Sequence, residues 1–393
     1  VWPAPIGSGP ATRRPAPPSP KAGKRQELAR LSGGRVETWP ITCRAEGREY
    51  ARQWWWDACL TLLTLGLYLP WAQVRSRRYF LRRTVVAGHA MDYHEPVTQA
   101  WPRHALALGL VLGVSGAWAG SALAGMLALS LALAVWPMLV LTNLTHRLAQ
   151  VSWAGRRLAF DAAWQEVYRA LWWPLASGGA LAWLAMAATL VGLPTGWRAW
   201  GGVALLWLLC WPIFLWSWFR FRQQHLRLGP LSLLWKARRE ALFLLTWRVL
   251  TWAMLASLFS AGLGAILVAG VLGLEGRLTW TSQGVIAAVS GLVVAAAVLP
   301  YAQARLQNLV WSKTGNRYVR FRSRLSPSGH VARQLRHLVW LLCTAGLAWP
   351  WVAVANHRRR LEAMTIWARV DVEVLQAAWP VHTVAVRQSS RQR

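Results

Sequence analysis

A chain of 393 residues with 44 Lys plus Arg against 14 Asp plus Glu carries a formal charge of +30, which leaves two kinds of partner, a nucleic acid or an anionic membrane surface. The distribution excludes the first. A nucleic-acid binder spreads its basic residues over soluble modules, whereas residues 105–145, 170–197, 199–219, 249–274 and 278–304 contain no Asp, Glu, Lys, Arg or His. A crossing of the hydrocarbon core takes roughly 20 apolar residues, so the sequence reads as a multispanning membrane protein.

Residues 1–40, rich in Pro, Gly, Ala and basic residues, read as a disordered lead-in without the apolar core of a signal peptide; an added strand is expected in "VETWPITCRAEGREY". The membrane domain is expected over 41–376 and a basic tail over 377–393. Within "LTLLTLGLYLPWAQVRSRRY" (60–79), Gly66 and Pro70 are expected to bend an apolar helix. Three hairpins follow, over about 104–141, 174–219 and 246–301, with turns near "GAWAGSALAG", "GLPTGWRAWGG" and "GLEGRLTWTSQG". Those turns hold only Arg198 and Arg277 as basic residues, so the positive-inside rule turns them outward and keeps both termini in the cytoplasm. Near the end, "LLCTAGLAWPWVAVANHRRR" (341–360) repeats the opening pattern with Gly346 and Pro350. Basic residues flank both end elements, at residues 54–72 and 336–352, on both sides. They read as re-entrant or interfacial; two ordinary spanning helices are the alternative. The fold class is thus a mainly α membrane protein: three transmembrane hairpins (six spans), two Pro-bent end elements, and short cytoplasmic β-strands on a degenerate repeat.

That repeat is marked by Pro70, Pro137, Pro212, Pro300 and Pro350, each ending an apolar run. Strand-like segments follow: "TVVAGHAMDYH", "VSWAGRRLAFDA", "LRLGPLSLL", "TGNRYVRFRSRL" and "MTIWARVDVEV", the last alternating through Val370, Val372 and Val374. The strands are expected to pair into a small basic sheet beneath the helices. The block "LTLLTLGLYLPWAQVRSRRYF" with "TVVAGHAMDYH", and "VSWAGRRLAFDAAWQEVY", resemble the YjgN-like family of bacterial inner-membrane proteins, a family of unknown function, over about residues 42–375. The resemblance implies location and architecture and supplies no catalytic residues.

Chemistry-bearing motifs are sparse. "HAMDYHE" offers His89, Asp92, His94 and Glu95, but on a strand the two histidines face opposite sides. Cys43, Cys59, Cys210 and Cys343 have no metal or disulfide spacing, and no nucleophile-elbow, zinc-protease or phosphate-loop motif occurs. No enzyme activity, metal or cofactor is expected. The remaining candidates are Arg75, Arg77, Arg78, Arg305, Arg358, Arg359 and Arg360, whose guanidinium forks suit the phosphates of anionic phospholipid headgroups. Two functions follow as expectations: a non-enzymatic, membrane-organising or anionic-lipid-associating protein, or a transporter or channel for a small or lipidic solute. Strong proton coupling is not expected, because the six apolar arms carry no ionisable residue in their cores.

Overall fold

The computed structural model describes residues 36–191, 197–272, 280–370, 372–377 and 379. Residues 1–35 of the lead-in, Arg277 and the tail beyond Trp379 lie outside the described residues.

Strand β1 (Glu37–Cys43) begins inside the segment expected to be a lead-in. Trp39, Ile41 and Cys43 are buried while Thr38, Pro40 and Thr42 are exposed, the period of two of a half-buried strand. From its end α1 (Gly47–Leu63) leaves, and α2 (Leu69–Arg82) returns to β2 (Thr84–Val86). The excursion is shut at its base: Cys43 pairs with Thr84, and the Arg44 amide donates to the Arg83 carbonyl at 2.7 Å.

The same construction continues along the chain. A two-residue turn at Ala87–Gly88, with positive φ at both residues, leads into β3 (His89–Tyr93); such turns match the twist of paired strands. Next come α3 (Ala100–Gly120), α4 (Ala122–Ala149) and β4 (Val151–Trp153), with Tyr93 paired to Val151. After a like turn at Ala154–Gly155, β5 (Arg156–Arg157) runs on through Leu158 into β6 (Ala159–Phe160). The third excursion is α5 (Trp164–Leu190) and α6 (Trp197–Gln224), returning to β7 (Leu226–Leu228) beside β6. Strand β8 (Leu231–Ser232) continues through Leu233 into β9 (Leu234–Trp235), then α7 (Arg239–Leu272), α8 (Trp280–Ser312) and β10 (Thr314–Gly315), which pairs β9. The last unit is β11 (Val319–Ser323), α9 (Pro327–Cys343), α10 (Trp349–Glu362) and β12 (Met364–Ala368), shut where Ser323 meets Met364.

The hydrogen-bonded order is β5-β4-β3-β2-β1-β12-β11-β10-β9 in one sheet and β6-β7-β8 in the other. The two join because β5 and β6 are one strand, with the Leu158 amide bonded to the Val151 carbonyl, as are β8 and β9, with Leu233 bonded to Leu226. The result is a closed antiparallel ring, in which β12 pairs with β1 and so unites the two ends of the described chain. Closure removes the exposed strand edges that an open sheet would present. All the helical excursions leave from one rim and all the tight turns lie at the other. The expected small sheet is therefore a barrel to which every repeat contributes.

Inward residues from around the ring form one apolar cluster that includes Trp39, Val86, Trp153, Leu231, Val319 and Ile366. Strand character in "MTIWARVDVEV" stops at Ala368 rather than running on through Val374. Val372 starts the short helix α11 (Val372–Ala377); its Val372 and Leu375, and Trp379 beyond it, are buried at the turn rim of the barrel.

Six spans exceed what the helices support. Among the described residues three are long and apolar enough to cross a membrane, at Ala122–Ala149, Arg239–Ile266 and Ile286–Ser312; a fourth is the pair Trp164–Trp173 and Leu175–Ala188, bent by 44°. Helix α3 falls short because only Ala105–Gly120 follows its Arg103 and His104, after which Ser121 caps the next helix.

The prolines also act differently from the expectation. Pro70 and Pro350 lie in the first turns of α2 and α10, where a missing amide costs nothing, and Pro137, Pro212 and Pro300 sit inside continuous helices. The chain reverses at Leu65–Gly66 and Ala345–Gly346, all at positive φ. The two reversals agree bond for bond: Gly66 donates to Thr61 and Gly346 to Leu341, both at 2.7 Å, and the Thr64 and Thr344 hydroxyls cap the Tyr68 and Ala348 amides. Each end element is thus a pair of helices out and back, and not one bent helix.

A candidate anion-binding cleft beside an apolar chamber

Several of the arginines expected to meet phosphate are engaged within the protein. Arg78 donates to the Glu95 carbonyl at 2.7 Å, Arg358 to the Ala45 carbonyl, and Asn308 Nδ2 to the Leu325 carbonyl at 2.8 Å. Each donor stands eight residues after its repeat proline, and each acceptor lies two residues beyond the strand that opens the next excursion. Trp216 Nε1 reaches the corresponding Ala237 carbonyl at 3.4 Å. These bonds fasten four of the five helical pairs to the next around the ring.

Arg75 pairs with Asp57 at 2.8 Å, and Arg360 Nε donates to Gln307 Oε1 at 2.9 Å. Arg305 lies over the Tyr301 ring, and half-buried Arg77 bonds exposed Gln73 at 3.3 Å. His89 and His94 take separate partners, the Ala87 carbonyl and Ser152 Oγ.

Acids are spent unevenly around the ring. Glu49 pairs with Arg83, Asp92 with Arg82, fully buried Glu95 with Arg103, and Asp161 with Arg227. At the base of α9 and α10 the balance fails. A cleft of about 430 Å³ is lined by Arg324, Arg333, Arg358 and Arg359 with Ser326 and a single acid, Glu362. None of these four arginines forms an ion pair among the described residues, and Nε of both Arg333 and Arg359 is buried without a hydrogen-bond partner.

Burial, aided by Arg333 and Arg336, holds the Arg359 guanidinium below its ordinary pKa. His330, fully buried with both ring nitrogens unpartnered, has its pKa lowered by burial and then by Arg360, Arg359, Arg333 and His337. Four arginines held this close with one acid among them favour an incoming anion, and planar guanidinium forks match phosphate oxygens. Arg358 and Arg359 were legible from the sequence; Arg324, Arg333 and His330 were not. The available signal was "HVARQLRH", whose spacing puts His330, Arg333 and His337 along one helix face.

Beside the cleft, the barrel encloses an apolar cavity of about 290 Å³. Its wall comes from strands all around the ring; at the helical rim its lining residues Leu81, Trp311, His357 and Leu361 are only half-buried, whereas Leu375 at the turn rim is fully buried, which sets the mouth on the helical rim. His357 is the single ionisable side chain on this lining; burial, then Arg360, pushes its pKa down to about 4.

Geometry and composition together define a class: a mainly helical protein with membrane-length helices, erected on a closed β-ring. The chain belongs to a family described as bacterial protein of unknown function (DUF898), whose model matches residues 39–386. That match spans every strand of the ring from Trp39 onward, in keeping with the YjgN-like resemblance. No curated protein and no solved structure matches the chain.

Proposed function

We propose that this is a non-enzymatic, anionic-lipid-associating protein of the bacterial inner membrane, with its β-ring and both termini on the cytoplasmic side. One observation carries the reading: an unneutralised cluster of arginines sits at the base of a helical pair whose tip is apolar and exposed. In α9 and α10 the basic residues stop at His337 and resume at His357, and Val339, Leu342, Leu347 and Trp349 between them are open to their surroundings. From His337 to Cys343 the helix rises about 9 Å, well within one leaflet of a hydrocarbon core about 30 Å thick. The α1–α2 tip matches it, with Leu62, Leu63 and Leu65 exposed.

Both end pairs accordingly dip into the cytoplasmic leaflet and return, and the cleft lies at headgroup depth, where each basic residue contributes about 1 kcal/mol toward an anionic surface. Among the described residues three helices, or four with the bent pair, are membrane-length by themselves; the finer topology, in which α3 and α6 also cross, belongs to the same proposal and rests on the charge asymmetry of the sequence alone.

Lipid retained after purification tests the function. Phosphatidylglycerol or cardiolipin should co-purify with the wild type and be lost from an Arg333→Gln, Arg359→Gln double variant; equal retention would sink the headgroup assignment. Solute flux through the wild type in proteoliposomes would favour the transport reading. Single reporter cysteines near residues 30, 196, 328 and 385 test the topology: only the one at 196 should label from outside.

A further inference from the structure

The chamber inside the barrel is a second site, with chemistry opposite to that of the cleft. Trp39, Met91, Trp153, Leu228, Phe321 and Ile366 face it from different strands, so no single hairpin could create it. Its far end is lined by the fully buried Leu375. Trp379 is buried against the Gly229 turn, where even an added methyl would meet the indole at 2.6 Å, and its ring lies 6.3 Å from that of Trp153. The near end opens among the helix ends, at Leu81, Leu361 and His357, on the side from which the membrane helices rise.

Water is a poor occupant, since a buried water needs two to four polar partners. The Thr84 hydroxyl is already bonded to the Phe80 carbonyl at 2.8 Å, and the Trp153 indole N–H to the Val86 carbonyl at 3.0 Å. An engineered apolar cavity of about half this volume stays dry and takes up apolar molecules, and ligand pockets begin at about 300 Å³. His357 Nε2, buried without a partner, leaves one hydrogen-bonding group at the mouth.

We infer that the barrel chamber binds a single hydrocarbon chain, inserted from the membrane side, with an uncharged hydrogen-bonding end group held at His357. The occupant is one chain of a lipid-derived molecule and not a whole bilayer lipid, because a chamber of about 290 Å³ is too small for two acyl chains and a headgroup. The site is independent of the arginine cleft: a neutral amphiphile has no use for guanidinium, and the two linings share no residue.

The test uses the full chain in lipid nanodiscs and a long-chain alcohol bearing a diazirine near its methyl end, chosen uncharged so that the cleft does not recruit it. After photolysis, adducts are expected on barrel peptides containing Met91 and Met364. Leu228→Trp, which fills the chamber, should lower that labelling by about tenfold, whereas the Arg333→Gln, Arg359→Gln variant should leave it unchanged. Ile366→Ala enlarges the chamber instead and should shift the preference toward a longer probe, which keeps the idea testable if Leu228→Trp does not fold. Wild-type adducts confined to α4, α7 and α8 would overturn the inference. So would barrel labelling indifferent to both size changes.

Discussion

His357 gives the sharpest test of how the ring and the helices fit together. It sits at the chamber mouth with its ring 4.4 Å from that of Phe80 on α2, and burial pushes its pKa from 6.5 down to about 4. Because the folded protein holds this imidazole neutral, its contribution to stability is complete above pH 6.5. It is lost as the pH falls from 6.5 toward 4, where the unfolded chain binds a proton that the folded chain refuses. A displacement of that size corresponds to about 3 kcal/mol. His357→Gln removes the titration and keeps a polar side chain. Urea unfolding of the detergent-solubilised protein, followed by near-ultraviolet circular dichroism of the barrel tryptophans, should show wild type losing about 3 kcal/mol more than the variant between pH 7 and pH 4. His330 and His337, whose pKa values burial also lowers, titrate in both proteins and cancel in the comparison. Parallel curves would refute the placement of a neutral imidazole between the barrel and α2.

At the reversals, Gly66→Ala and Gly346→Ala each force a side chain into left-handed φ and should cost about 1–2 kcal/mol, whereas Pro70→Ala and Pro350→Ala should cost 1 kcal/mol or less, about equally; thermal unfolding ranks them. Arg358→Met breaks the bond to the Ala45 carbonyl and should cost about 1.5 kcal/mol. Arg77→Met, whose partner is an exposed glutamine, should be near neutral by the same measurement. Trp379→Ala should destabilise the barrel by about 3–5 kcal/mol. Gly229→Ala should cost less in that background than in wild type, since the ring it would strike is gone; additive losses in the double-mutant cycle would contradict the contact.

The helical pairs were legible because apolar runs and basic flanks follow directly from the needs of a hydrocarbon layer. The similarity of the two end elements was legible too, down to their shared glycine. Of the Gly–Pro pairs expected to make the bend, Gly66 and Gly346 do so at left-handed φ, whereas Pro70 and Pro350 fall in the first turn of a helix, where a missing amide is harmless. The barrel was missed as a barrel because its strands are as short as two residues, and because β5–β6 and β8–β9 change partners midway, which no periodicity records. The cleft was half legible. An arginine row such as Arg358–Arg360 announces charge, yet only the fold tells Arg358, committed to a backbone carbonyl, from Arg359, which is not.

Closure of the ring has a further consequence, for biogenesis. β1 is made early and its partner β12 some 320 residues later, so at about 5–20 residues per second β1 waits roughly 15–60 s with one edge open. Throughout that interval the bases of the earlier helical pairs can already zip shut through β2, β4, β7 and β10. The nascent chain is therefore an open crescent with a sticky lip at residues 37–43, the stage at which pairing with another chain would compete with completion. Slow translation of the last hundred residues should prolong the hazard, and a strand peptide copied from β12 should trap it.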